Sequence, residues 1–420
     1  MKIDINEFSQ SCGCGKQHAI LVQDIFIERN ALEKLPELLQ QTGYANYKKP
    51  LVICDNNTFK AAGSRVVEML GCGCIELSAE NLHANEKAVE KVGLQLPADV
   101  DLLLAVGSGT IHDITRYVAH EKNLPFIAVP TAASVDGFVS TVAAMTWYGF
   151  KQSFSSSSPI CVIADSSIFS KAPYRLTASG ISDLLGKYTA LADWRIAHIL
   201  TGEYLCERIF ALTKNAVDIV ATSLDALRGG EAEAYEKLMY GLLLSGLAMQ
   251  MMGNSRPASG AEHHMSHLWE MEILNPTIEA YHGEKVSVGL RLAVSTYQHM
   301  KEEIRAGRMQ VVDHYQGMET EVLKKYFGAK GMYETILKEN TPDPLMAVNL
   351  KVLQAKLPEI LAVLDDLPSV GEIEALLCAG SCVMTLRQIG IGEELLKKTL
   401  QLSPYIRNRL TFMRLSKLFV

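Results

Sequence analysis

Leu102-Leu103-Leu104-Ala105-Val106-Gly107-Ser108-Gly109-Thr110 is the stretch whose reading decides the fold. Its unbroken apolar run is what a strand buried on both faces of a parallel sheet looks like, not the alternation of a one-sided sheet. The run passes through two glycines and a serine into a helical pattern from Thr110 to about His120, so strand, tight turn and helix follow without a linker. Outward from it, Leu51-Val52-Ile53-Cys54-Asp55 is a second strand with a helix over 57–70 behind it. Phe126-Ile127-Ala128-Val129-Pro130 is a third, running into Thr131-Ala132-Ala133-Ser134. Short apolar runs alternating with helical patterns over 20–165 are the mark of repeated βαβ units. The serine-rich run 153–158 reads as an exposed loop or hairpin at the edge of this region.

After Asp165 strand-like runs stop, and 205–227, 231–252, 318–326 and 368–389 carry helical spacing. A chain of 420 residues exceeds one ordinary core. Two domains are therefore expected: an α/β domain over 1–170 and an all-helical domain over 171–420, with no internal repeat. The net charge of −7 argues against a nucleic-acid partner, which would call for a basic face. The longest near-apolar run, 239–252, is about two-thirds of a bilayer span and is interrupted by Gly241, Ser245 and Gly246, so it reads as a buried helix and no membrane insertion is expected. No charged-then-apolar leader opens the sequence, and nine scattered cysteines suggest reduced thiols, which together lead to the expectation of a cytoplasmic protein. Cys12 and Cys14, in Cys-Gly-Cys-Gly, are half of a metal site at most. No second pair with zinc-finger spacing follows, and they read as a turn near the chain start.

The chemistry concentrates in a few places. Four of the 11 histidines fall within 263–282, in Ser259-Gly260-Ala261-Glu262-His263-His264-Met265-Ser266-His267 and Tyr281-His282-Gly283-Glu284-Lys285. His263 and His267 lie one helical turn apart, on one face. Asp183, His263 and His282 form a mixed carboxylate and imidazole set, and three protein ligands leave room for substrate on a catalytic ion. Such donors suit zinc, iron or nickel. Taken singly, Asp183 is also an ordinary helix-start carboxylate and His282 an ordinary loop histidine. Gly107-Ser108-Gly109 brings backbone amides near a pyrophosphate at a helix N-terminus, although it lacks a third glycine and equally fits a plain tight turn. Asp55 ends a strand where a carboxylate accepts ribose hydroxyls. Arg256 is either a clamp for a substrate phosphate or a surface arginine ahead of a helix.

In combination, Gly107-Ser108-Gly109-Thr110-Ile111-His112-Asp113, residues 129–137 (Val-Pro-Thr-Ala-Ala-Ser-Val-Asp-Gly), Gly180-Ile181-Ser182-Asp183, the histidine segment and His282-Gly283-Glu284-Lys285-Val286 resemble the iron-type alcohol dehydrogenase and dehydroquinate synthase superfamily. The resemblance spans roughly 20–300. It implies a Rossmann-like nicotinamide-binding domain, a helical metal- and substrate-binding domain, and the reduction of dihydroxyacetone phosphate to sn-glycerol 1-phosphate with NAD(P)H and one divalent ion (Zn, Ni or Fe). Carried over residue by residue, Asp183, His263 and His282 match metal ligands, and His267, Asp136 and Asp183 match substrate contacts. Asp55, Gly107, Ser108, Gly109, Thr110, Ile111, His112, Asp113, Thr131, Ala132, Ala133, Ser134 and Ser140 match the cofactor site. A homo-oligomer, a dimer first, is the expected assembly. Glycerol dehydrogenase and a dehydroquinate synthase-like lyase are the rival activities. The lyase is expected to carry Glu where Asp183 stands.

Overall fold

The computed structural model describes residues 3–420. Eight strands form first: β1 (Asp24–Glu28), β2 (Pro50–Asp55), β3 (Gly73–Leu77), β4 (Leu102–Gly107), β5 (Phe126–Pro130), β6 (Val142–Trp147), β7 (Phe150–Ser155) and β8 (Cys161–Asp165). Six of them make one parallel sheet in the order β1-β8-β5-β4-β2-β3, and β6 and β7 pair as an antiparallel hairpin that takes up the first half of the serine-rich run. Each residue of β4 and β5 is buried, as the continuous apolar runs require. Val52, Leu104, Val106, Ile127 and Val129 belong to the apolar core on one face of this sheet.

The order of the strands fixes where a ligand can bind. From β2 the chain moves outward to β3, then returns to place β4 on the other side of β2. That reversal makes the crevice beyond the C-terminal ends of β2 and β4 the switch point of the sheet, where open α/β sheets take their ligands. Ile53 pairs with Ala105, so two residues further on Asp55 and Gly107 stand at the same level at that edge.

The helices that matter for the site are α1 (Gly109–Lys122), α2 (Tyr174–Leu185), α3 (Lys187–Thr201), α4 (Ala232–Met252), α5 (Ala261–Glu270) and α6 (His282–Arg305). The chain divides into two compact units. The first runs as far as Leu184 and takes in Asp218–Asn254; the second comprises Leu185–Val217 and Ser255–Val420. The division is not the single cut near residue 170 expected from the sequence, because α4 belongs with the sheet. Gly246 is why it can: a Cβ there would stand 2.5 Å from Val139 Cγ2 and 2.8 Å from the Asp136 carbonyl oxygen, so the helix backbone rests directly on the turn at Gly137–Val139. As its composition suggests, α4 is buried nearly all round, and no helix among the described residues is long and apolar enough to cross a membrane.

The second unit is helical, with short 3-10 turns and one isolated bridge, Val311 to Phe419. Its own apolar core includes Ile196, Met265, Trp269, Tyr297, Leu353 and Phe412. An α/β Rossmann-like unit and an all-helical unit are thus both present.

Candidate active site

At the C-terminal edge of the sheet, Gly107 ends β4 and Ser108 precedes α1 without a side-chain hydrogen bond to the helix start. The first amides of α1 carry the partial positive charge of a helix N-terminus, which suits a phosphate. A side chain at Gly107 would collide with Ile111, its Cβ 2.5 Å from that of Ile111. The turn at residues 131–134 lies alongside, with the Thr131 N–H donating to the Gly107 carbonyl at 2.9 Å. Asp55 spends one oxygen on its own neighbourhood: Oδ1 accepts the N–H groups of Asn57 and Thr58, each at 2.9 Å, capping the short helix Asn56–Thr58. His112 and Asp113 turn to structural partners. The His112 ring lies 2.8 Å from the Ser108 carbonyl through Nδ1, and burial pushes it down to about 3, so it is neutral. Asp113 pairs at 2.9 Å with Arg116, whose fully buried guanidinium also donates to the carbonyls of Gly137, Phe138 and Val142. Ser140 Oγ accepts the Val142 N–H at 3.0 Å.

The same unit holds Asp183. On α2, Gly180 touches the turn at residues 131–134 so closely that a Cβ would sit 2.1 Å from the Ala133 carbonyl oxygen, and Ser179 Oγ donates to the Ser134 carbonyl at 3.1 Å. One turn on, Asp183 is 1% exposed and its Oδ2 accepts the Asp136 N–H at 2.9 Å. The Asp136 carboxylate in turn accepts from Ser245 Oγ of α4 at 2.7 Å. Turn, α2 and α4 thereby fix the two acids Asp136 and Asp183 beside one another.

In the second unit, α5 and the start of α6 bring three imidazoles together. Ring centroids of His263 and His282 lie 5.2 Å apart, His267 and His282 5.7 Å, and His263 and His267 6.0 Å. Two carboxylates orient them. Glu262 accepts from His263 Nδ1 at 2.7 Å, while Glu270 takes His282 Nδ1 at 2.9 Å on one oxygen and His267 Nδ1 at 3.1 Å on the other. Burial alone would raise the Glu262 carboxyl, but hydrogen bonds from His263, from Thr189 Oγ1 and from the Gly260 N–H hold it below the ordinary carboxylate range. An ionised Glu262 keeps the proton of His263 on Nδ1, and a ring protonated there carries its lone pair on Nε2. That is the arrangement by which outer carboxylates prepare histidines for a metal. Oxygen and nitrogen donors of this kind fit a divalent transition metal.

His264, the neighbour that the sequence could confuse with His263, does not join the cluster. Its two ring nitrogens are buried with no hydrogen-bond partner, and burial, with Arg409 and Arg407 nearby, holds it well below the usual imidazole range. Arg256 corrects the expectation of a phosphate clamp. It is 2% exposed, its Nε donates to Glu203 at 2.7 Å, and one amino group donates to the carbonyls of Asp193 and Leu410 at 3.0 and 2.9 Å. It ties distant parts of the helical unit together. Glu262, Glu270 and Lys285, whose Nζ is 3.3 Å from Glu270, went unassigned in the sequence. The i,i+3 spacing of His267 and Glu270 was the available signal.

Residues 26–173 match the iron-containing alcohol dehydrogenase family. The glycerol-1-phosphate dehydrogenase [NAD(P)+] of Geobacillus thermodenitrificans is 34% identical over 98% of this chain and 96% of its own length. That of Bacillus licheniformis is 39% identical over 69% of this chain and 74% of its own. Among solved structures, glycerol dehydrogenase from Schizosaccharomyces pombe (TM-score 0.54, 20% identity, 92% of this chain and 93% of that one) and maleylacetate reductase from Agrobacterium tumefaciens (TM-score 0.59, 14% identity, 92% and 91%) share the fold. Full-length identity above 30%, the parallel sheet with its glycine turn, and the carboxylate-oriented histidines agree, and the chain belongs to the iron-containing alcohol dehydrogenase family.

Proposed function

We propose that this chain is a metal-dependent dehydrogenase that reduces dihydroxyacetone phosphate to sn-glycerol 1-phosphate with NADH or NADPH, reversibly. The observation that carries the reading is the set of three imidazoles held by Glu262 and Glu270 in a chain whose full-length relatives bear the name glycerol-1-phosphate dehydrogenase [NAD(P)+]. We assign Asp183, His263 and His282 to the divalent ion, zinc, nickel or iron, on the motif match and the donor chemistry. When bound, such an ion polarises the ketone oxygen and the nicotinamide supplies hydride. The residues do the rest. Glu262 and Glu270 hold the proton of each ring on Nδ1, which makes Nε2 of His263 and His282 the nitrogen that would ligate. His267 and Asp136 contact the substrate hydroxyls, His267 through Nε2 and Asp136 through the carboxylate that Ser245 orients. The α1 N-terminus, the turn at 131–134 and the remaining oxygen of Asp55 bind the cofactor, and residues up to 170 form the core of the nicotinamide-binding part.

The reading extends to a dimer in a reducing, cytoplasmic setting. It is supported there by nine cysteines without a disulfide, and size-exclusion chromatography checks the dimer.

Steady-state assays decide the substrate. Each charge-assisted bond to a phosphate contributes about 1.5–3 kcal/mol, so a preference of at least tenfold for dihydroxyacetone phosphate over dihydroxyacetone is expected. The product should be oxidised poorly by a dehydrogenase specific for sn-glycerol 3-phosphate. Equal rates on both ketones would point to a glycerol dehydrogenase instead.

A further inference from the structure

Residues 11–17 are exposed except at Cys12 and Cys14, and His18 beyond them is buried. These three withdrawn side chains are all good ligands for a soft or borderline metal. One ligand atom from each lies within 4.8 Å of the others, and Cys14 Sγ is 3.2 Å from His18 Nε2. Two features orient the set. His18 Nδ1 is 2.8 Å from the Met251 carbonyl, which can only accept, so Nδ1 carries the proton and the Nε2 lone pair faces the sulfur. A backbone carbonyl on the far nitrogen is how ligating histidines are commonly held. The second feature is the Gly15 turn. Its φ of +78° lets the chain reverse after Cys14, and the Lys16 N–H then donates to Cys14 Sγ at 3.4 Å, which fixes where the sulfur sits.

We propose that Cys12, Cys14 and His18 bind a structural zinc ion, separate from the ion of the dehydrogenase chemistry, with a further thiolate or water completing a tetrahedron. Two thiolates balance the charge of the ion, and the two thiol protons leave to solvent on binding. The ion would clamp the N-terminal segment onto the end of α4, where Leu21 N–H already donates to Gln250 Oε1 at 2.9 Å. Gln250 also donates to Ser158 Oγ at 2.7 Å, and α4 carries the Ser245 that orients Asp136, so the clamp braces the first unit from the outside.

Cobalt separates this site from the catalytic one, because only sulfur ligands give an intense near-ultraviolet thiolate-to-cobalt transition. Full-length protein, stripped by chelator and kept reduced, is titrated with Co2+, and zinc is counted by mass spectrometry in protein as purified. The thiolate band should appear in the wild type and in His282→Ala, and vanish in the Cys12→Ser/Cys14→Ser double variant together with one zinc equivalent per chain. His18→Cys keeps three ligands and should strengthen the band, which covers the case in which the double variant fails to fold. A wild type without the band, a band that survives in the double variant, or a band no stronger in His18→Cys would each overturn the proposal.

Discussion

His263 and His282 each commit Nδ1 to a carboxylate, and neither belongs to an apolar core. His263→Ala and His282→Ala are therefore expected to lose bound metal and turnover together while the circular dichroism stays that of the wild type. Glu262→Gln, which keeps shape but weakens the hold on Nδ1, should lower metal affinity by about 10–100-fold in a chelator competition. Retention of full metal occupancy in either alanine variant would move the ligand assignment elsewhere. Arg256 behaves in the opposite way. Cutting its bonds leaves Glu203 and two carbonyls without their donor, so Arg256→Ala should cost about 2–4 kcal/mol in denaturant unfolding with no selective rise of KM for the phosphorylated ketone. The histidines were legible in the sequence because a helical turn and a short loop bring them near one another. The work of Arg256 was not, since its partners lie 53, 63 and 154 residues away.

At the scale of elements, α5 starts where α3 lets it. A Cβ on Gly260 would lie 2.7 Å from both Ala190 Cα and Asp193 Oδ2, so the two helices meet backbone to backbone. Asp193 fastens the junction: its carboxylate accepts the Ala261 N–H at 3.0 Å, the Phe412 N–H at 2.7 Å and the Tyr297 hydroxyl at 2.8 Å. Burial, reinforced by the nearby charge of Glu262, pushes this carboxyl up from 3.8 to about 7. A raised folded-state value means that the folded protein holds the proton more tightly than the unfolded chain. The resulting stability is fully present below pH 4 and is lost as pH rises through 7. Thermal melts of Asp193→Asn should therefore show a flatter pH dependence than the wild type between pH 4 and pH 7; an unchanged slope would assign the effect to other groups. The elements themselves were readable to different degrees. β2, β4 and β5 announce themselves as apolar runs because both faces are covered. The hairpin partner β6, half-buried at alternate positions, blends into its surroundings. Helix 205–227 is in fact Glu207–Ala221 followed by a short helix from Leu224.

For the molecule as a whole, the sequence indicated two kinds of architecture but not which helix belongs to which. An all-round apolar helix such as α4 signals burial without naming its partner, and only the close approach at Gly246 ties it to the sheet. A fragment ending at residue 170 is thus expected to be poorly soluble and to lack cooperative unfolding, because it omits Leu242, Leu243 and Leu247, each fully buried and worth about 1.5–3 kcal/mol. A sharp melting transition in that fragment would show that the sheet stands without α4. The same discontinuity gives the nascent chain a timetable. Once β8 has left the ribosome, roughly ninety residues must still be synthesised before α4 is complete, about 4–17 s at ordinary elongation rates. Through that interval an apolar surface waits uncovered, so the newborn chain should lean on holding chaperones most heavily before its middle helix arrives.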